Sequence, residues 1–256
     1  MTFDPEAFRI ACRTRWLGRA IAHFPELPST SAYLKDRARQ GPPPEPGLLV
    51  IADSQTAGYG QHGRSWQVPP DHGLTFSLWL PAAHARPTLT LLAGVAVVEA
   101  LRAHTGSPEI GLKWVNDLVA RGRKLGGMLA EGVGHPRDPA GHGVVLGIGI
   151  NRRDPGVAEA IALESLGPLP PSEPLLAGLL ERLEARLALP DPDGLAAWSR
   201  YAVTLGQEVV VQTPHEVLKG HAEALSATGA LILKQEDGTQ REVIAGTVRL
   251  ADGRYC

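Results

Sequence analysis

The chain has 256 residues, 43% hydrophobic and 20% charged, with a formal charge of −2. That balance suits one large domain or a medium domain with a small one, and it lacks the basic excess that nucleic acid or an anionic membrane surface would require. No apolar run reaches the ~20 residues that span a bilayer, and charged residues at Glu6, Arg9, Arg13 and Arg15 break up the start of the chain. Cys12 and Cys256 have neither metal-ligand nor disulfide-framework spacing, so a reducing cytoplasm is the expected setting.

In chain order, residues 4–14 predict a short helix with Phe8, Ala11 and Cys12 on one side. Sixteen residues precede a strand expected over Leu17–Phe24, too few for an independent DNA-reading unit of two packed helices. Ser29-Thr30-Ser31 then precedes a short helix over Ala32–Ala38, and hydroxyls in that place read first as N-caps. After the proline-rich loop Gly41–Gly47, two apolar runs, Leu48–Ala52 and Leu74–Leu80, read as strands. Between them lies DSQTAGYGQHGRSW (53–66), with glycines at 58, 60 and 63. Such a loop lets backbone N–H groups approach a ligand, although no helical pattern follows it as a dinucleotide fingerprint would need.

Apolar residues at helical spacing, Leu91, Leu92, Val95, Val98 and Leu101, predict a core helix over Pro87–His104. Residues 110–131 read as strand, Asn-Asp turn, strand, Arg-Gly turn, strand. Lys113, Asn116, Asp117 and Lys124 are polar in an otherwise apolar segment. With Gly126 and Gly127 beside them, they suggest a buried polar site, because unpaired charges are costly to bury. Gly143–Asn151 is a further strand, and Pro174–Leu189 and Asp193–Tyr201 are helices explained by core packing. From Val203 the pattern changes to short strands punctuated by glycines, which fits a small five-stranded barrel. The expected organisation is therefore a unit over 1–202 and a barrel over 203–256.

Several segments together resemble the biotin protein ligases, almost end to end. The family's KWPND and KLGG/KLAG motifs with a following glutamate correspond to KWVND (113–117) and KLGGMLAE (124–131). Its GIGIN strand stands at 147–151, and its GRGRxGRxW loop after a glutamine corresponds to Gln55 and GYGQHGRSW (58–66). Ser29-Thr30-Ser31 is a weaker match.

The resemblance implies an α+β fold: a mixed, largely antiparallel sheet with helices packed on it, of the class II synthetase type, plus a C-terminal SH3-like barrel. It implies an enzyme that uses ATP and Mg²⁺ to convert biotin to biotinyl-5′-AMP and then transfers biotin to a lysine of a biotin carboxyl carrier protein domain. On that reading Lys124 and Arg64 are catalytic. Ser29, Thr30, Ser31, Gln55, Gly58, Tyr59, Gly60, Gln61, Gly63, Trp66 and Lys124 bind biotin. Lys113, Asn116, Asp117 and Asn151 face the nucleotide, with Asp117 and Asn151 toward the metal. Nucleic acid and membrane are not expected partners, and a homodimer is left open. A lipoate or octanoate ligase of the same superfamily, a biotin-responsive repressor and a non-catalytic biotin binder are the alternatives. The chain departs from the family pattern at Tyr59 and Gln61, where arginines are usual, and at Val115, where the motif has proline.

Overall fold

The computed structural model describes residues 2–66, 68–134 and 142–256. Its frame follows from strict alternation along the strands. In β7 (Gly143–Asn151), Val144, Leu146, Ile148 and Ile150 enter the main core, while the alternate positions 147 and 149 are glycine. In β3 (Gly73–Pro81), paired antiparallel to β7, Leu74, Phe76, Leu78 and Leu80 enter that same core, and Thr75 and Ser77 take the other face. Side chains alternate across a strand, so one face of this sheet is a wall of large apolar groups, and the other is small and polar where positions 75, 77, 147 and 149 meet.

The sheet has seven strands in the order β1 (Ile21–Leu27), β2 (Leu49–Gln55), β3, β7, β6 (Arg123–Val133), β5 (Asp117–Ala120) and β4 (Gly111–Lys113). Only β1 and β2 run parallel; the other pairings are antiparallel. The first strand lies further along the chain than Leu17–Phe24, because Leu17 is drawn into the core ahead of it.

Helix α3 (Leu89–Thr105) packs on the apolar face and is itself covered by α4 (Ser172–Leu187) and α5 (Asp191–Tyr201), with α1 (Pro5–Ala11) against α4. Burial of α3 on several sides explains why its sequence is apolar beyond a single stripe. The opposite face carries α2 (Thr30–Gln40), whose Leu34 and Ala38 pack with Val50, Trp79 and Val145 in a smaller cluster. α2 starts earlier than the expected Ala32: Ser29 is its N-cap, with Oγ accepting from the Ala32 N–H at 3.3 Å, and Thr30 and Ser31 form its first turn.

The last fifty residues build a second, five-stranded antiparallel sheet. Its order is β11 (Gln240–Val243), β10 (Leu231–Lys234), β9 (Val217–Leu225), β8 (Glu208–Gln212) and β12 (Thr247–Leu250), so β11 and β12 are its edges. It is joined to the first sheet at β4. The Val203 N–H donates to the Leu112 carbonyl at 2.8 Å, the Trp114 N–H to Thr204 Oγ1 at 2.9 Å, and the Trp114 indole N–H to the Gly229 carbonyl at 3.0 Å.

Candidate active site

A cleft opens on the small, polar face of the seven-stranded sheet, with about 910 Å³ of empty space including its mouth. Strand register places its floor. Thr75 pairs with Gly149, Gly149 with Gly127, Gly127 with Asp117, and Asp117 with Lys113, so one cross-strand row runs through the site. Glycines in the middle of that row leave the space, and polar residues occupy its ends. Gly149 has a second constraint: a Cβ there would fall 2.6 Å from the Trp66 ring, which lies across it. Gly126, on the other face of β6, is a backbone approach, since its Cβ would meet the Gly149 carbonyl at 2.4 Å.

The inner end holds a knot of hydroxyl and amide groups. The Thr30 N–H and Oγ1 both reach Gln55 Oε1, at 2.7 and 3.0 Å, and Ser77 Oγ lies 2.8 Å from Thr30 Oγ1 and 2.9 Å from Ser31 Oγ. Each hydroxyl has one proton. If Thr30 donates to Gln55, Ser77 must donate to Thr30 and Ser31 to Ser77. The chain of donors then has one direction, which leaves acceptor lone pairs on Ser31. Among the described residues Gln55 Nε2 makes no hydrogen bond, so it is a donor at the cleft wall. Ser77 was not anticipated, although a serine inside LTFSLWL is the signal for it.

The outer end is cationic. Three positive side chains, Arg64, Lys113 and Lys124, face one carboxylate, Asp117, among the described lining residues. Lys124 Nζ donates to Asp117 Oδ1 at 2.5 Å. Lys113 is 3% exposed, and burial brings its pKa down to about 8 despite the nearby Asp117 charge. Tyr255, which local patterning gave no reason to include, donates to Asp117 Oδ2 at 2.5 Å and places its ring under the Lys113 ammonium.

The loop from Gly58 to Trp66 forms the lid side as a small hairpin, with the Tyr59–Ser65 bridge and a tight turn at Gln61–Gly63. Gly58 is needed for close packing there, since a Cβ would meet the Trp66 carbonyl at 2.3 Å. Tyr59 donates to Glu131 Oε2 at 2.8 Å, Lys35 Nζ donates to Glu131 Oε1 at 2.6 Å, and the Lys35 ammonium sits 4.9 Å from the Tyr59 ring centroid. Burial raises the Tyr59 pKa, so the phenol stays a donor. The Trp66 indole N–H is buried with no partner among the described residues, a group that a ligand acceptor would satisfy.

Tyr59, Gly60, Gln61, Arg64 and Trp66 line the cleft, together with Ser29, Thr30, Ser31, Gln55, Lys113, Asn116, Asp117 and Lys124. Gly58 and Gly63 are in the loop but not on the cleft wall. Asn151 is not on the cleft wall, and its amide nitrogen donates to the carbonyls of Ile161 at 3.2 Å and Lys124 at 3.4 Å. Asn116 is on the wall, but its amide nitrogen is engaged by the Met128 carbonyl at 2.7 Å. Arg64 reaches across to Thr247 Oγ1 at 2.9 Å, which ties the loop to β12. Among the described residues there is no cluster of three His, Cys, Asp or Glu that would hold a resident metal. Asp117 is the one carboxylate among the described lining residues that could hold a metal.

Comparison with known proteins agrees with this architecture. The model of the biotin/lipoate A/B protein ligase family matches residues 23–151, and that of the biotin protein ligase C-terminal domain matches 204–250. The bifunctional ligase/repressor BirA of Escherichia coli is 32% identical over 91% of this chain and 74% of its own length. A biotin–[acetyl-CoA-carboxylase] ligase of Mycobacterium tuberculosis is 36% identical over 73% of this chain and 72% of its own. The structure of the Aquifex aeolicus biotin protein ligase in complex with biotin and ATP superposes with a TM-score of 0.78 at 26% identity, covering 91% of this chain and all of that one. With strands, loop and C-terminal sheet accounted for together, the chain belongs to the biotin/lipoate A/B protein ligase family.

Proposed function

We propose that this protein is a biotin–[biotin carboxyl carrier protein] ligase. The biotin carboxylate attacks the α-phosphate of ATP, the bond to pyrophosphate breaks, and biotinyl-5′-AMP forms. The ε-amine of an acceptor lysine then attacks the carbonyl of that mixed anhydride, and AMP leaves. The observation that carries the reading is the polarity of the cleft, with a neutral hydroxyl–amide knot at one end and three cations at the other. Biotin has the same polarity, a neutral ureido ring at one end of an apolar chain and a carboxylate at the other.

In this assignment Gln55 Nε2 donates to the ureido carbonyl, and Ser31 and Thr30 complete the ring's partners. Ser29 has its oxygen engaged as a helix cap. Lys124 stands where carboxylate and phosphate must meet; its charge offsets their repulsion and stabilises the transition state. Arg64 adds forked donors once it leaves Thr247. Lys113, Asn116 and Asp117 form the nucleotide side, where Asp117 would hold Mg²⁺, and that ion would supply charge neutralisation at the phosphates. The hairpin at 58–66 closes over the adenylate and keeps water from the anhydride. The two sheets support a division at residues 202/203. Cytoplasmic action fits the two free cysteines, and among the described residues no helix is long and apolar enough to cross a membrane.

A lipoate ligase is disfavoured by the knot, because a dithiolane ring would leave the Gln55 Nε2 donor and the acceptor lone pairs of Ser31 without partners. Pyrophosphate release measured with biotin and with lipoate tests the assignment: turnover with biotin is expected, and its absence would refute it.

A further inference from the structure

Lys113 is a buried lysine with no hydrogen bond or ion pair among the described residues. Its ammonium rests on the face of Tyr255, 3.3 Å from the ring centroid. The hydroxyl of the same tyrosine takes Asp117 Oδ2, while Lys124 takes Oδ1. One side chain therefore covers the buried cation and fills the second oxygen of the carboxylate. An aromatic face is a weak substitute for an anion beside a desolvated ammonium.

Tyr255 also borders a second cleft, lined by Arg121, Arg123 and Glu159 among others, and so forms the wall between two open spaces. It follows β12 through a tight turn in which the Gly253 N–H donates to the Leu250 carbonyl at 2.9 Å and Gly253 has φ of +86°. Open space therefore adjoins Tyr255 outside the first cleft as well. On the reading that Lys113 and Asp117 form the nucleotide side, we propose that Tyr255 is a displaceable occupant of the ATP-phosphate subsite. It satisfies Asp117 and Lys113 while the site is empty, and it moves toward the second cleft when ATP and its Mg²⁺ arrive. Because ATP must compete with it, the apparent affinity for ATP is lower than the open site would give.

The test uses the full chain with Tyr255→Phe, which keeps the ring and loses the hydroxyl, and Tyr255→Ala. In biotin-dependent pyrophosphate release the KM for ATP should fall roughly ten-fold in Tyr255→Ala and by less in Tyr255→Phe, with the KM for biotin unmoved. A fluorotyrosine at 255 should shift its ¹⁹F resonance as ATP with Mg²⁺ is added without biotin. An ATP KM unchanged or raised in both variants, or a resonance that stays put at saturation, would overturn the proposal and make Tyr255 a fixed wall. Should the native chain release no pyrophosphate with biotin, the functional assignment fails, and the resonance still decides whether Tyr255 yields to nucleotide.

Discussion

Lys124 Nζ lies 2.5 Å from Asp117 Oδ1, although the two residues belong to different strands and are separated by a reversal of the chain. That reversal places Arg121 and Gly122 at φ of +50° and +69°, the two-residue turn suited to antiparallel strands, and Glu109 holds the Arg121 guanidinium in place. Lys124→Ala should reduce biotin-dependent pyrophosphate release by at least ~10²-fold, the scale for removing one charge-stabilising donor. Its side chain is 34% exposed, so the thermal midpoint should move little. Near-normal turnover would remove Lys124 from the centre of the reaction.

Ser77 is fully buried between Thr30 and Ser31 and is the middle link of the hydrogen-bond chain that ends on Gln55 Oε1. Ser77→Ala should raise the KM for biotin roughly ten-fold, the equivalent of one well-placed hydrogen bond, with the KM for ATP unchanged. Equal effects on both substrates would mean that Ser77 shapes the whole cleft.

The loop has two separable devices. Tyr59→Phe removes the bond to Glu131 and should speed escape of biotinyl-AMP by roughly five- to ten-fold, measured as its dissociation rate. Gln61→Arg adds a charge beside the anionic adenylate and should slow that escape. An unchanged rate in Gln61→Arg would show that the Tyr59–Glu131–Lys35 network, and not charge, governs retention.

Lys113 makes stability depend on pH in a defined window. Its pKa is about 8 in the folded protein against an ordinary 10.5, so between these values the unfolded chain binds a proton that the folded one does not. Stability should therefore rise as pH increases from about 8 to 10.5 and be insensitive to Lys113 below that range. The total is about 3 kcal/mol at 1.36 kcal/mol per unit. Denaturation of Lys113→Met against the native chain across this range measures it: the difference between the two should grow toward low pH and level off below 8. A difference that is flat throughout would mean that Lys113 is charged in the fold across the whole window.

Much of the frame was legible from local pattern. GVVLGIGIN reads as a strand, and its alternation of large and missing side chains already describes a wall on one face and a floor on the other. Lys113, Asp117 and Lys124 could be grouped because short turns bring neighbouring strands together. What escaped is non-local. Asn151 ends the expected strand, and only folding brings its amide nitrogen to the Lys124 and Ile161 carbonyls. Tyr59 stands where the family pattern has arginine, and only folding brings Glu131 and Lys35 to it. Tyr255 is 138 positions from Asp117, and no periodicity spans such a gap. Ser29 behaved as its local chemistry suggests and caps α2.

The bonds from Trp114 to Thr204 and Gly229, and the cleft wall made by Gly246, Thr247, Val248 and Tyr255, bear on how the protein can be re-engineered. The five-stranded sheet is not a detachable accessory. A chimera that imports it from a relative imports part of the substrate wall as well, and the borrowed residues must match Trp114, Asp117 and Lys113 of the host. Segments 113–117 and 246–255 therefore form one unit of exchange, and recombination that separates them breaks the site while leaving each sheet intact.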